Sequence, residues 1–293
     1  MSTLWQSISS KMLRSSSKLY LLMGINIIVY LAINIPAVIM WLLTSDIDFI
    51  PSYAAKYLAL PASLPILLHH FWTPITYMFM HDGPLHILFN MLWLYWFGRI
   101  FEEFSGTKRT IGLYLMGGLS GAIFYVVSYN IFPAFTNVHA AAGSIVVGAS
   151  ASVMAIIVAT GTLLPNYLIP LPFIGSLKLK WIVLIYVGLD FISIAGPNSG
   201  GEIAHIGGAL LGFVYIKRLQ KGSDWIANIS NLFKSGPKLS KLRVVARNTV
   251  KRSASKPRQE DVDTILDKIS TSGYESLSKE EKEISFRASK NES

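Results

Sequence analysis

Four polar side chains within apolar stretches could together carry out acyl-transfer chemistry: Ser150, His205, His86 and Asn90. A hydroxyl beside an imidazole is an activated nucleophile, because the ring takes the hydroxyl proton during attack on a carbonyl and returns it to the leaving group. The reaction also needs hydrogen-bond donors aimed at the developing oxyanion. The Ser150 backbone N–H, the Asn90 amide and the His86 ring could supply them.

Each of these residue types also has a different interpretation. A serine among small residues commonly only lets helices pack closely, and we assign Ser152 that role. A histidine in an apolar segment could instead belong to a proton relay or a transport path. We expect Asp190 to be a wetted or capped carboxylate without a direct role, and we expect His81 to order a loop through hydrogen bonds.

Neither a metal site nor a cofactor is expected. His69, His70 and His81 are the histidines that would hint at metal, but the chain has no cysteine and no matching carboxylate cluster to complete a ligand set. A serine, a histidine and local donors suffice for hydrolysis of a carbonyl compound.

The composition is typical of a membrane protein. Hydrophobic residues make up 52% of the 293 residues, charged residues only 15%, and the mean hydropathy is +0.44. The net charge of +9 comes from basic residues clustered in particular loops and in the tail. Because that distribution is typical of membrane topology, we expect no nucleic-acid partner.

Long apolar segments predict an all-α membrane protein, a bundle of six transmembrane helices. The predicted spans are about 19–43, 84–98, 111–132, 144–164, 180–196 and 203–218. Basic residues before the first span and in alternate loops place both termini in the cytoplasm. The first span lacks a cleavage site and is predicted to remain as an anchor, and the lack of a transit-like leader favours a bacterial cytoplasmic membrane.

This topology brings the four polar residues to one level of the membrane. His86 and Asn90 begin span two, Ser150 lies near the start of span four, and His205 lies near the start of span six. These three spans all run from outside to inside, so we expect the four side chains at their outward ends. Small residues around Ser150 and after His205 favour close approach of their two helices.

The chain divides into four predicted regions. A cytoplasmic N-terminal segment (1–18) precedes the six-helix domain (19–220), whose long first outer loop is too apolar to be a solvated linker. A basic linker (221–259) follows and is expected near anionic inner-leaflet lipid. The last region (260–293) predicts a small cytoplasmic helical hairpin with a stop at Gly273 and a capping box from Ser278 to Glu281.

Three separated motifs resemble those of the rhomboid intramembrane serine proteases: "HDGPLHILFNMLWLYWFGRIFEEF", "GASAS" and "AHIGGALLG". The similarity covers about residues 19–220. It implies a dyad of Ser150 and His205 without an aspartate, an oxyanion hole formed by His86, Asn90 and the Ser150 amide, and cleavage of transmembrane substrates near their outer ends. It further implies that the first loop is membrane-embedded and that span five and the loop "GPNSGGE" gate substrate entry.

Two positions near the serine differ from the family pattern, while Gly148 and Gly208 follow it and support the site. Ala151 stands where the family usually has glycine, and we expect its methyl group to approach the oxyanion site or His205. Met154 stands where an aromatic ring often packs against the catalytic histidine, and a thioether orients an imidazole less rigidly.

Two other functions remain open at this stage. One is a catalytically weak or inactive relative that binds membrane-protein clients, which would be marked by loss of Ser150 or His205. The other is a transporter in which His86 and His205 line an ion path, and it predicts paired half-spans that the sequence does not contain.

Overall fold

The structure is a computed structural model that describes residues 17–136, 143–171, 175–232 and 259–289. It forms two compact units, residues 1–235 and 236–293. The basic segment 233–258 and most of the N-terminal segment lie outside the described residues.

The first unit is mostly helical. Its helices are α1 (Leu19–Thr44), α2 (Phe49–Leu58), α3 (Leu64–His69), α4 (Thr73–Thr76), α5 (Pro84–Ser105), α6 (Thr107–Ile131), α7 (Pro133–Thr136), α8 (Ser150–Leu163), α9 (Leu179–Ser193), α10 (Ser199–Gln220) and α11 (Trp225–Leu232), with a 3-10 turn at Tyr77–Phe79. Two antiparallel ribbons complete it, β1 (Leu60–Pro61) with β2 (Ile145–Val146) and β3 (Leu168–Leu171) with β4 (Gly175–Lys178).

Each of the six stretches predicted as spans contains a helix. Among the described residues, α1 and α6 are the helices long and apolar enough to be identified as membrane spans, and α8 is a shorter apolar helix. The predicted start of the fourth stretch at residue 144 is wrong, because α8 begins at Ser150. The residues before it pair with β1 and then pass through Gly148, whose φ of 127° cannot continue a helix.

Helix α8 is the centre of the first unit. Every residue from 151 to 161 is buried, and the helix is apolar all round, as expected for a helix enclosed by others. Helices α5, α6 and α10 surround it. The position of Ser150 is therefore set by how these neighbours pack on α8.

Glycines let α6 and α10 approach the backbone of α8. A methyl group placed on Gly208 would lie 2.1 Å from the Ala151 carbonyl oxygen, and one on Gly212 would lie 2.2 Å from the Ala155 carbonyl oxygen. On the other side, a methyl group on Gly121 would lie 2.5 Å from Ala151 Cβ. Only glycine permits these contacts, and they bring the starts of α8 and α10 together.

Buried polar side chains fasten the segment after α4 to the bundle. The Tyr77 hydroxyl donates to the Gly118 carbonyl oxygen at 2.6 Å, and the Tyr114 hydroxyl donates to the Met78 carbonyl oxygen at 3.0 Å. Asn26 on α1 donates to the Tyr114 hydroxyl at 3.0 Å. Without these partners the buried hydroxyls would be costly, so the contacts define the path of the chain here.

Helix α11 belongs to the first unit, so the predicted boundary of the linker at residue 221 is too early. Ile226 packs over Gly112 of α6, and the Arg109 guanidinium donates to Asp224 Oδ2 at 2.7 Å. Burial opposes ionisation of Asp224, but hydrogen bonds from the Ala227 backbone N–H and from Arg109 outweigh it and lower the pKa of the carboxyl.

The second unit contains α12 (Gln259–Ser272), a 3-10 turn at Tyr274–Ser276 and α13 (Lys279–Ser289). Gly273, with φ of 78°, lies between α12 and the turn, and the predicted capping box is confirmed. The Ser278 backbone N–H donates to Glu281 Oε2 at 2.7 Å, and the Glu281 N–H donates to Ser278 Oγ at 3.2 Å. Lys268 of α12 donates to Glu281 Oε1 at 2.8 Å.

We expect Gly208→Ala to lower the free energy of unfolding by about 1–3 kcal/mol, because the added methyl group meets the α8 backbone. The matched control is Gly188→Ala on α9, where a methyl group meets nothing within 4 Å. Its effect should be neutral or stabilising by up to about 1 kcal/mol, from helix propensity. Denaturant unfolding in detergent micelles measures both, and equal effects would contradict the tight α8–α10 contact.

The hairpin of the second unit should lose stability in acid. Lys268 and the Ser278 backbone N–H lower the pKa of Glu281 from 4.5 to about 2. The ionised Glu281 carboxylate therefore stabilises the hairpin fully above pH 4.5, and this stabilisation is lost as the pH falls toward 2. Amide hydrogen exchange of the full chain measures this. The protection factors of residues 279–289 should decrease as the pH is lowered from 4.5 toward 2.

The Glu281→Gln variant should show low protection already at pH 7, since its side chain carries no charge for Lys268. Glu280→Gln, at the exposed neighbouring residue, is the control and should behave as the wild type. Equal protection in the two variants would contradict the role of Glu281.

Candidate active site

Ser150 is the first residue of α8 and follows a closely fitted backbone turn. The Gly148 N–H donates to the Tyr77 carbonyl oxygen at 2.9 Å. A methyl group on Gly148 would lie 2.8 Å from His86 Nε2, and the positive φ of this residue already disfavours a side chain. Glycine at 148 therefore places His86 directly beside the residues that lead into Ser150.

The N-terminus of α8 offers an unused donor. A residue at the start of a helix has no intrahelical acceptor for its N–H, and the Ser150 N–H has no hydrogen-bond partner among the described residues. The helix dipole places partial positive charge at the same point. This end of α8 can therefore stabilise an anion near the Ser150 side chain.

The structure brings together the four side chains singled out from the sequence. Ser150, His205, His86 and Asn90 line one cavity of about 350 Å³. Within the described ranges, Ser150 and His205 line the same cavity without a direct hydrogen bond between them.

His86 and Asn90 lie one helical turn apart on α5. Asn90 Nδ2 donates one hydrogen bond to the His86 carbonyl oxygen at 2.9 Å, which leaves its second N–H for another acceptor. The His86 ring lies edge-on to His81, with 5.1 Å between ring centroids.

The expectation that His81 orders a loop through hydrogen bonds stays a prediction, since the backbone of Phe79 interacts with the ring but not at ordinary hydrogen-bond geometry. Both of its ring nitrogens are buried and make no hydrogen bond of ordinary geometry in the part of the chain that the structure describes. Its contact with His86 is a ring contact, so His81 supports that ring by packing.

His205 has two carboxylates at its Nδ1 atom. Asp190 Oδ2 on α9 lies 2.7 Å away, and Glu202 Oε2, one turn earlier on α10, lies 3.5 Å away. This differs from the expected histidine without an aspartate, and from the expected wetted or capped role of Asp190. A carboxylate bound to the imidazole of a serine–histidine pair is the arrangement found in many soluble serine hydrolases.

The same three residues are the group here that could hold a metal ion. Asp190, Glu202 and His205 each offer one ligand atom, all within 4.8 Å of one another. A cation bound there would take Nδ1 of His205 and replace its hydrogen bond to Asp190.

The residues that depart from the family pattern lie outside the cavity lining. Ala151 is buried with its methyl group against Gly121, so this side chain points toward α6 and does not crowd the cavity as expected. Met154 is fully buried in the core. Gly208 supports the site by contacting the Ala151 backbone.

Three aromatic residues of the cavity, Phe89, Trp93 and Tyr186, were not predicted from the sequence. Trp93 on α5 and Tyr186 on α9 line it with rings stacked at 5.6 Å between centroids. A signal was available on α9, because Tyr186 and Asp190 are four residues apart and share one face.

Comparisons with known proteins identify the family of this chain. The Rhomboid domain model matches residues 68–221, and a family of unknown function, DUF6576, matches residues 252–291. The mitochondrial RHOMBOID-like protein 12 of Arabidopsis thaliana is 31% identical over 159 residues, which are 51% of this chain and 47% of the relative. The Rhomboid protease GlpG of Haemophilus influenzae is 28% identical over 174 residues, 56% of this chain and 82% of that protein.

A second plant relative, RHOMBOID-like protein 1 of Arabidopsis thaliana, is 31% identical over 170 residues, which cover 56% of this chain and 39% of the relative. The chain therefore spans about half or less of the length of the two plant relatives. The Rhomboid domain model nevertheless matches more than half of this chain and includes all four cavity residues. With motifs, cavity and domain match in agreement, the chain belongs to the rhomboid family of multi-pass membrane proteins.

Proposed function

We propose that this protein is an intramembrane serine endopeptidase that hydrolyses a peptide bond in, or near the outer end of, a transmembrane substrate. The observation that carries the proposal is the single cavity shared by Ser150, at the start of α8, and His205 of α10, with His86 and Asn90 in its wall. The reaction class follows from these residue types, since a hydroxyl and an imidazole supply nucleophile and base.

The reaction proceeds by acyl transfer. Ser150 Oγ bonds to the scissile carbonyl carbon while His205 Nε2 takes the hydroxyl proton. The C–N bond of the tetrahedral intermediate then breaks, and His205 gives that proton to the leaving amine. Water deprotonated by His205 attacks the acyl-enzyme, and the Ser150 oxygen leaves with the proton.

The oxyanion of each intermediate is stabilised by the Ser150 N–H, the free Asn90 N–H and the His86 ring. The first two are unused donors that already lie beside the cavity. Preorganised donors of this kind favour the transition state because they need no rearrangement as charge develops.

The membrane arrangement follows from the distribution of basic residues. We assign the stretches predicted as spans to six transmembrane helices, with both termini in the cytoplasm and the cavity open to the outer side. The segment from α2 to α4 lies in the outer leaflet, supported by exposed apolar residues such as Leu68 and Phe71. The coverage of a bacterial relative over 82% of its length favours a bacterial cytoplasmic membrane.

The substrates are membrane-spanning proteins with segments that unwind easily. A helix hides its scissile carbonyl in internal hydrogen bonds, so cleavage favours glycine, alanine, serine or proline near the outer interface. The basic linker binds anionic inner-leaflet lipid.

The second candidate is an inactive relative that binds membrane-protein clients. One observation favours this candidate: Ser150 and His205, which both lie in the described part of the chain, share no direct hydrogen bond. Catalytic hydrogen bonds are often long before substrate binds, so a missing hydrogen bond in the unbound protein is compatible with both candidates. The activity of the purified protein decides between them.

We expect the wild type to cleave a single-span model substrate in liposomes, and Ser150→Ala and His205→Ala to lose at least about 1000-fold in kcat. Ser152→Ala is the matched control: Ser152 is two residues from Ser150 in the same helix, buried, and outside the cavity lining. It should retain near wild-type activity. Loss in all three variants would indicate damage to the helix, and an inactive wild type that a fluorophosphonate probe fails to label would favour the client-binding candidate.

Ala151→Gly should leave the rate of Ser150 labelling by a fluorophosphonate unchanged, because the Ala151 methyl group contacts Gly121 and not the cavity. The same variant should lower the free energy of unfolding by about 1 kcal/mol, from lost helix propensity and a lost buried methyl group. Labelling that appears only in the glycine variant would contradict both the placement of this methyl group and an active wild type.

A further inference from the structure

We propose that Asp190 is a positioning residue that holds the His205 ring in the tautomer and orientation needed to deprotonate Ser150. The inference rests on the proposed function and adds a third member to the serine–histidine pair. Asp190 acts through His205, because it lies outside the cavity lining and cannot contact substrate there.

The contact is short and selects one nitrogen of the ring. Asp190 Oδ2 lies 2.7 Å from His205 Nδ1. An ionised carboxylate can only accept, so a neutral His205 ring would carry its hydrogen on Nδ1 and its lone pair on Nε2. Nε2 has no hydrogen-bond partner among the described residues, and His205 lines the same cavity as Ser150, so Nε2 is the ring nitrogen that the proposal assigns to the Ser150 proton.

The burial of Asp190 is not explained by the packing of α9 alone. The helix exposes most of its apolar side chains, and its buried residues are Leu179, Val183 and Asp190. A carboxylate in a membrane-spanning helix is costly unless it faces the bundle interior and has a partner. Here the partner is His205 on the neighbouring helix, so Asp190 ties α9 to α10 at the reacting histidine.

Glu202 does not make an equivalent contact. Its Oε2 is 3.5 Å from His205 Nδ1, and its Oε1 accepts a hydrogen bond of 3.4 Å from Asn198 Nδ2. The longer distance is outside the usual range for a charge-assisted hydrogen bond. We therefore assign the positioning role to Asp190, and Glu202 serves as the neighbouring carboxylate for comparison.

The test compares wild type, Asp190→Asn, Asp190→Glu and Glu202→Gln in detergent or liposomes. For each protein we would measure kcat and KM on a single-span model substrate, the rate of Ser150 labelling by a small fluorophosphonate, and the melting temperature. Labelling needs an activated serine but no docked substrate, so it separates positioning of His205 from substrate binding.

We expect Asp190→Asn to lower kcat and the labelling rate by about 100-fold or more, because an amide can donate to Nδ1 and favour the wrong tautomer. KM should stay close to the wild-type value. Asp190→Glu keeps a carboxylate and should recover much of the labelling rate. Glu202→Gln leaves the 2.7 Å contact of Asp190 in place and should lose less in kcat and labelling than Asp190→Asn.

Near wild-type kcat and labelling in Asp190→Asn would overturn the proposal. Equal losses in Asp190→Asn and Asp190→Glu, with matching drops in melting temperature, would also overturn it, since they would indicate a purely structural contact. If both variants melt at the same lowered temperature, and Asp190→Glu regains Ser150 labelling while Asp190→Asn does not, the positioning role is supported. A wild type that neither cleaves nor labels removes the proposed function itself, and the role of Asp190 with it.

Discussion

The site depends on how closely the backbones of α8 and α10 approach. Gly208 and Gly212 lie against the carbonyl oxygens of Ala151 and Ala155, at distances that no larger residue would allow. In a membrane, where apolar side chains gain little by leaving lipid, such contacts supply much of the attraction between helices. Because Ser150 begins α8 and His205 lies one turn before Gly208, this approach sets both sides of the cavity.

The arrangement also accounts for the polar residues inside an apolar bundle. Ser150 lies where a helix N-terminus leaves an N–H unused, and His205 is paired through Nδ1 with a carboxylate from another helix. Each of these groups would be costly if isolated in hydrocarbon. Around one cavity, His205 has Asp190 as its partner and the Ser150 N–H stays available to an anion, which is what the proposed acyl transfer requires.

The glycines around α8 also explain how the departure from the family pattern at position 151 is accommodated. The methyl group of Ala151 fills space above Gly121, so the additional carbon is absorbed on the α6 side. The cavity lining does not include Ala151, and it keeps Ser150, the two histidines, Asn90 and a stacked pair of aromatic rings among its residues. Alanine in place of glycine at position 151 therefore changes the packing of α8 against α6 and does not change the lining of the cavity.

Much of the site could be predicted from the sequence alone. Long apolar segments located the helices, and Ser150, His205, His86 and Asn90 stood out because polar groups in such segments need a reason to be there. Local signals were also sufficient for the capping box at Ser278 and Glu281, since its partners are three residues apart.

The tertiary structure decided which faces of these helices meet, because hydropathy fixes neither the rotation of a helix nor the choice of its neighbour. It paired Asp190 with His205 across 15 positions of sequence and turned the Ala151 methyl group toward Gly121. Each of these results depends on contacts between segments far apart in the chain. The residue types determined which chemistry was available, and the packing of the helices determined which groups could perform it together.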